Sequence, residues 1–479
     1  MVNNEGAENK GEAAELDRAR DGVNSYYMIN KNQFMLDHYV KLYESKTNKS
    51  RSLFDQSKKR FPGSVSHNIR FFEPYPFFTQ KAHGKYLHDV DGNKYADYWM
   101  GHWSLILGHA PSVVVNALEQ KVPEGTIVGT VNELSVRLAD TISKVMPNAE
   151  LMRFASTGSE ATMNAVRLSR AYTGRRIVAK IVGGWHGFNS SLLKSINFPY
   201  DEEEGRGLLE EELKYVVSLP FNELDKTKKI LNDVKDDLAS IIVEPLLGGG
   251  GCVPAERDYL RYLQEVARRF NALFILDEIV TGFRLSLDGA QGLFSLDPDL
   301  FTLGKIAGGG MPIGIVCGKR EVMELANPMG KKKGEKCSIG GGTFSANPLS
   351  MAAGIATLVH LIGKGKSVYE KIDKMGKVAR HGIDKVMNEN GVKVKSTGMG
   401  SLFLTHFLTD NTSEVRSAAD VADCDVSLQK AYHFALMAKY GIFFLPNKMG
   451  AISVTHDEED IEKLIVASEE LAREIRGPR

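Results

Sequence analysis

The chain has only four cysteines in 479 residues, Cys252, Cys317, Cys337 and Cys424. They show no CxxC spacing and no neighbouring histidine at ligand spacing, so neither a disulfide framework nor a metal site is expected. Thiols this sparse suit a reducing cytoplasm. No apolar run approaches the roughly 18 residues that a membrane span needs. The first residues lack the basic and then apolar pattern of a signal peptide. An excess of one charge is missing too: Lys plus Arg is 60 and Asp plus Glu is 60. That balance argues against nucleic acid or an anionic membrane as partner. Proline is scarce at 16 while glycine reaches 46. Disordered low-complexity sequence raises both, so the glycines are read as specific backbone sites. The GxxxxGK[ST] spacing of a P-loop is absent.

What remains is a globular chain, 43% hydrophobic and 25% charged, long enough for two or three domains at roughly 150 residues each. Residues 1–25 read as a disordered polar tail. Residues 26–98 hold a helix around Lys31–Glu44 and a hairpin over Lys85–Tyr98, turning at Asp91-Gly92. From 99 to 346 strands alternate with helices. Ile177–Val182, Ser240–Glu244, Leu273–Asp277 and Ile313–Cys317 are continuous apolar runs, as buried parallel strands are. Glu160–Tyr172 and Glu256–Phe270 are helical between them. The expected class is α/β, a large doubly wound sheet domain with its ligands at the carboxyl ends of the strands. Residues 347–479 read as a smaller α+β domain, with helices at Pro348–Ile362, Glu370–Glu389, Leu428–Lys439 and Glu458–Ile475. The N-terminal segment is assigned to that smaller domain. The charge runs Glu202–Glu204 and Lys331–Lys333 read as solvated loops.

Four pieces carry chemistry together. Ser156-Thr157-Gly158-Ser159 before a helix offers free N–H groups and positive dipole charge, a phosphate cradle. Asp277 closes an apolar strand, where a carboxylate pairs with a protonated ring nitrogen. Lys305 lies among apolar and glycine residues just after Thr302-Leu303-Gly304, where a depressed pKa makes it a nucleophile toward carbonyls. Trp185-His186-Gly187 follows another strand and offers a ring for stacking. Pyridoxal 5'-phosphate needs each of these pieces.

Asp277-Glu278-Ile279-Val280-Thr281-Gly282-Phe283-Arg284, Thr302-Leu303-Gly304-Lys305 and Gly342-Thr343-Phe344-Ser345-Ala346-Asn347-Pro348 resemble the motifs of class III (subgroup II) aminotransferases of fold type I. The resemblance runs from about Pro62 to Ile475. Within the class it is greatest to the glutamate-1-semialdehyde 2,1-aminomutases and to the β-amino-acid aminotransferases. It implies a large mixed sheet, Lys305 as Schiff-base lysine and proton shuttle, and Asp277 at the pyridine nitrogen. It implies Ile279 under the ring and Trp185 above it, where the family has Tyr or Phe, with His186 beside them. Thr157, Gly158 and Ser159 (for the usual Thr) would bind phosphate. Thr343 would reach the phosphate of the neighbouring subunit, making a homodimer with shared active sites. Glu244 belongs to the family's Glu-Pro pattern and supports the site. Phe61 to Arg70 resembles the mutase's Pro-Gly-Gly-Val-Asn-Ser-Pro-Val-Arg, which makes Arg70 the carboxylate anchor, with His67 and Arg284 the next candidates. Gly101-His102-Trp103 matches Gly-Ser-Trp, so His102 and Trp103 line the pocket.

Three features depart from the mutase. Leu445 to Ala451 lacks the Glu of its Gln-Phe-Glu-Ala segment, Leu246 to Pro254 has no Asn after Glu-Pro, and the loop after Trp185 carries an acidic run. A mutase must retain its intermediate, and a weaker lid favours release. The expected activity is transfer of an amino group from a carboxylate-bearing amine, such as a β- or ω-amino acid, to a keto acid. The alternative is the aminomutase, or a racemase of the same family.

Overall fold

The computed structural model describes residues 33–201, 204–329 and 337–477. Its centre is a seven-stranded sheet in the order Leu151–Ala155, Gly314–Gly318, Leu300–Gly304, Leu273–Asp277, Leu238–Val243, Ile177–Ile181, Val216–Leu219. Every residue of the three middle strands is buried, which is why they read as unbroken apolar runs. Alternate residues serve two cores. Ile242, Leu273, Ile275, Leu300 and Val316 share one core with Ala165, Val166 and Leu168 of helix Gly158–Thr173. Ile241, Val243, Phe274, Leu276, Phe301 and Ile315 belong to the other, with Leu260, Leu263 and Val266 of helix Arg257–Arg269.

One strand departs from expectation. Gly314–Gly318 pairs antiparallel with both of its neighbours, not parallel. The connection from Lys305 to Ile313 is a tight glycine-rich turn, too short for the crossover that a parallel partner requires. The sheet is therefore mixed. Three strands go beyond the four apolar runs expected: Leu300–Gly304, just before Lys305, and Leu151–Ala155 and Val216–Leu219, which are the two edges of the sheet.

The hairpin around Asp91-Gly92 is present, with Tyr86–Asp89 antiparallel to Lys94–Asp97. Gly92 has a φ of 94°, and the Asp89 carboxylate accepts the N–H groups of Asp91 and Asn93 across the turn. This hairpin joins Ile442–Phe443, a strand near the other end of the chain, which pairs parallel to Lys94–Asp97. Helices Pro348–Lys364, Lys366–Glu389, Val426–Tyr440 and Glu458–Arg476 lie where the periodicity put them, each one to four residues longer than read. A helix spans 33–46. The expected tail, Lys331–Lys333 and most of Glu202–Glu204 lie outside the described residues.

The carboxyl edge of the sheet gathers the ends of its parallel strands. Asp277 is register partner to Thr302, and Leu276 to Val243, so Glu244 follows one step beyond. Gly314 sets how closely helix Gly158–Thr173 approaches that edge: a Cβ there would lie 1.9 Å from the Thr157 carbonyl oxygen. That oxygen is backbone and cannot rotate away. Gly314→Ala is expected to cost at least about 1–3 kcal/mol by overpacking. A denaturant midpoint equal to that of the unaltered protein would refute this.

Candidate active site

Asp277 is buried, and three strand ends satisfy it. Its Oδ2 is 2.7 Å from His186 Nδ1. Its Oδ1 accepts the Thr302 hydroxyl at 2.8 Å and the Ile279 N–H at 3.1 Å. His186 stands behind Asp277, fully buried, and its Nε2 has no partner among the described residues. Glu244 is also buried, with Oε1 accepting the Trp185 N–H at 2.8 Å and Oε2 the Gly248 N–H at 3.2 Å. Burial first, and then the nearby Asp277, push its carboxyl up to about 8.

Lys305 begins the turn after its strand at a φ of 45°, a conformation strained for a side-chain-bearing residue. Its amine has no hydrogen-bond partner among the described residues and lies 5.8 Å from the Trp103 ring centre. Burial lowers its pKa, against the opposing pull of Asp277 and Glu244. Ile279 is wedged between two glycines: a Cβ at Gly158 or Gly304 would meet its Cδ1 at 3.1 or 3.0 Å.

Thr157 caps helix Gly158–Thr173 in a capping box with Glu160. The Ser159 hydroxyl accepts the Phe188 N–H at 2.9 Å, and at Gly187 a Cβ would lie 2.4 Å from it. The turn that carries Trp185 and His186 is thus pressed onto the helix start. Trp185 is 44% exposed. Thr343 stands in an exposed loop and its hydroxyl has no partner among the described residues; adjacent Gly342 would place a Cβ 3.1 Å from Glu160 Oε1 of the same chain.

The expected substrate residues form one string. Arg70 is exposed at the end of the turn Asn68–Arg70. The His67 and His102 rings are 5.5 Å apart, and His102 lies 4.5 Å from the ring of Trp99. Burial, then Arg70, His67 and Lys305, bring His102 down to about 4, so it is neutral near pH 7. Trp103 spends its indole N–H on the Met449 carbonyl at 2.8 Å. Arg284 does not join them as a carboxylate anchor. It is buried, and its guanidinium donates to backbone carbonyls of the fold.

Sequence reasoning missed Lys180, fully buried on strand Ile177–Ile181, with its ammonium donating to the Lys194 and Ile181 carbonyls at 2.6 and 3.1 Å. Burial takes it down to about 8. Its signal was a lysine inside an apolar run. Glu278, quoted without a role, is buried and accepts from Thr281, Ala290 and Gln291, fixing the segment after Asp277.

Residues 70–455 match the family model for aminotransferase class-III. The chain belongs to the class III aminotransferases. It is 37% identical to the glutamate-1-semialdehyde 2,1-aminomutase of Methanocaldococcus jannaschii, over 89% of this chain and 98% of that protein. Among solved structures it is similar to an omega-transaminase from Sphaerobacter thermophilus, with 29% identity, a TM-score of 0.82, and 89% of this chain and 98% of that one covered. It is likewise similar to a beta-phenylalanine aminotransferase from Variovorax paradoxus, with 27% identity, a TM-score of 0.83, and 92% and 97% covered. This class III aminotransferase has the fold type I architecture and uses pyridoxal phosphate. The residues present fit that group: a helix start lined by small residues, an unpartnered amine on Lys305, and a hydrogen-bonded carboxyl group at Asp277. No group of His, Cys, Asp and Glu able to hold a metal occurs among the described residues.

The state of Glu244 is measurable. The fold keeps it neutral, so between its ordinary 4.5 and about 8 the unfolded chain releases a proton that the folded chain retains. Stability from this group therefore falls as pH rises through that window. Melting curves of the cofactor-free protein are expected to show Glu244→Gln gaining on the unaltered chain from pH 5.5 to pH 8. Parallel curves would mean that Glu244 is ionised in the fold.

Proposed function

We propose that this enzyme moves the amino group of a carboxylate-bearing substrate intramolecularly, as a glutamate-1-semialdehyde 2,1-aminomutase does. The observation that carries this reading is the 37% identity to such a mutase along 98% of its length. When bound, pyridoxal phosphate supplies an electron sink once its ring nitrogen is protonated. In the proposed division of labour, Asp277 holds that proton, oriented by His186, Thr302 and the Ile279 N–H. Ile279 supports the ring from below and Trp185 covers it. Thr157, Gly158 and Ser159 take the phosphate at the helix start. Lys305 Nζ carries a proton between carbon atoms, and its lowered pKa favours the neutral amine that accepts one. Glu244, kept neutral, adds no second negative charge beside Asp277 while it holds the Trp185 turn.

Arg70 is proposed as the carboxylate anchor, with His67, His102 and Trp103 as the walls of the pocket. Its support is electrostatic: the groups acting on His102 are Arg70, His67 and Lys305, with no carboxylate among them. The active unit is proposed as a homodimer with shared sites, in the cytoplasm. Exposed Val131 and Met329 line a groove of about 700 Å³ that also includes Ser345 and Ala346, two and three residues after Thr343. Among the described residues no helix is long and apolar enough to cross a membrane.

A second reading, transfer from a β- or ω-amino acid to a keto acid, has its own support. The segment Leu445 to Ala451 lacks the mutase's Glu, and the solved structures at 27–29% identity are named as transaminases.

Incubation with glutamate-1-semialdehyde alone separates the two. A mutase shifts the amino group to the neighbouring carbon with no second substrate. Conversion that appears only when an amine or keto acid is added would establish intermolecular transfer. Lys305→Ala is expected to abolish turnover under both. Arg70→Ala is expected to raise KM roughly 10- to 100-fold, the loss of one charge-assisted pair of about 1.5–3 kcal/mol. An unchanged KM would move the anchor elsewhere.

A further inference from the structure

Four successive residues, Met100, Gly101, His102 and Trp103, have φ of 45°, 57°, 60° and 64°. Three of them carry a Cβ and are strained in this left-handed region. Such a run persists only where its surroundings over-determine it. The Trp103 N–H bonds the Trp99 carbonyl at 2.9 Å, and its indole N–H bonds the Met449 carbonyl at 2.8 Å. Leu105 and Ser104 donate their N–H groups to the Met100 and Gly101 carbonyls at 3.2 and 3.4 Å, and the anchor from outside the turn's own neighbourhood is Arg284. Its Nη2 donates to the Trp103 carbonyl at 2.6 Å, and its Nη1 to the Ile452 carbonyl at 3.1 Å and the Ser401 hydroxyl at 3.4 Å. Its Nε, also buried, has no partner.

A buried guanidinium that meets only neutral groups is costly to keep out of water. An apolar side chain would fill the same space without that penalty. What the guanidinium adds is a planar fork that reaches two carbonyls on separate segments, one at Trp103 and one at Ile452. The turn it grips carries the Trp103 ring, 5.8 Å from the Lys305 amine, and the His102 ring, 5.5 Å from His67. Arg284 also closes the segment that begins at Asp277 and includes Ile279. One stretch of backbone therefore supplies the ring's carboxyl group, its floor and the clamp on the opposite wall.

We propose that Arg284 is a positioning residue for the substrate pocket, pinning the left-handed turn Met100–Trp103 so that Trp103 faces Lys305 and His102 stays beside His67. This rests on reading the space between Lys305 and Arg70 as the substrate site. The test uses Arg284→Lys and Arg284→Met in the cofactor-loaded full chain. Near-ultraviolet circular dichroism reads the turn directly, because the chain has three tryptophans and two of them, Trp99 and Trp103, pack edge to face at 4.9 Å. Both variants are expected to lose much of the tryptophan band while keeping the far-ultraviolet helix signal and the absorbance of the lysine-bound cofactor. KM for the amino substrate is expected to rise tenfold or more, with a smaller fall in kcat. Lysine gives no rescue, since one ammonium does not span both carbonyls. If Arg284→Met does not fold, Arg284→Lys, which keeps the charge, carries the test. An unchanged tryptophan band, or a KM within twofold of the unaltered enzyme, overturns the proposal. An unaltered enzyme that turns over no amine overturns the functional reading instead, and the spectrum alone then decides the role of Arg284.

Discussion

A carboxyl group taken out of water must be given partners, and the site depends on how Asp277 obtains them. Its own strand supplies none. The Thr302 hydroxyl comes from the next strand, the His186 ring from a turn beyond a third, and the Ile279 N–H from the bend that follows. The first two are in reach only because parallel strands lie side by side at one edge; the third is local. A slip of one residue between Leu273–Asp277 and Leu300–Gly304 would send the Thr302 side chain to the opposite face. Sheet register and site chemistry are therefore one constraint.

Burial then sets the charge states. It lowers Lys305 and Lys180 and raises Glu244, so buried groups of both signs drift toward neutrality. Along the proposed substrate string Arg70 and His67 are exposed, while His102 is half-buried and neutral near pH 7. Arg70, the proposed carboxylate anchor, is the exposed cation of this set. The interior keeps an amine that can accept a proton.

How much of this was legible in the sequence follows from range. Asp277 stood out because it terminates an unbroken apolar run, and Lys305 because it lies among apolar and glycine residues, both local signals. Strands Leu151–Ala155 and Val216–Leu219 were missed because edge strands are only partly covered and their runs are short or broken, as by Arg153 and Ser218. The direction of Gly314–Gly318 left no trace, since a strand buried on both faces is apolar whichever way it runs. The contact of His186 with Asp277 joins positions 91 apart, and no spacing rule reaches that far. Arg284 looked available for substrate because a motif shows neighbours along the chain. Its burial is decided by Ser401 and Ile452, which only the folded chain brings near.

The smaller four-stranded sheet joins two segments that lie far apart along the chain. Its last strand, Ile442–Phe443, lies along Lys94–Asp97, and Ala96 and Tyr98 donate their N–H groups to the carbonyls of Gly441 and Phe443. During synthesis that edge emerges well before its partner and must wait, its hydrogen-bonding groups bare, until Ile442–Phe443 has been made. A prematurely terminated product would thus carry an open strand edge ready to pair with another molecule. The arrival of Ile442–Phe443 is what closes it.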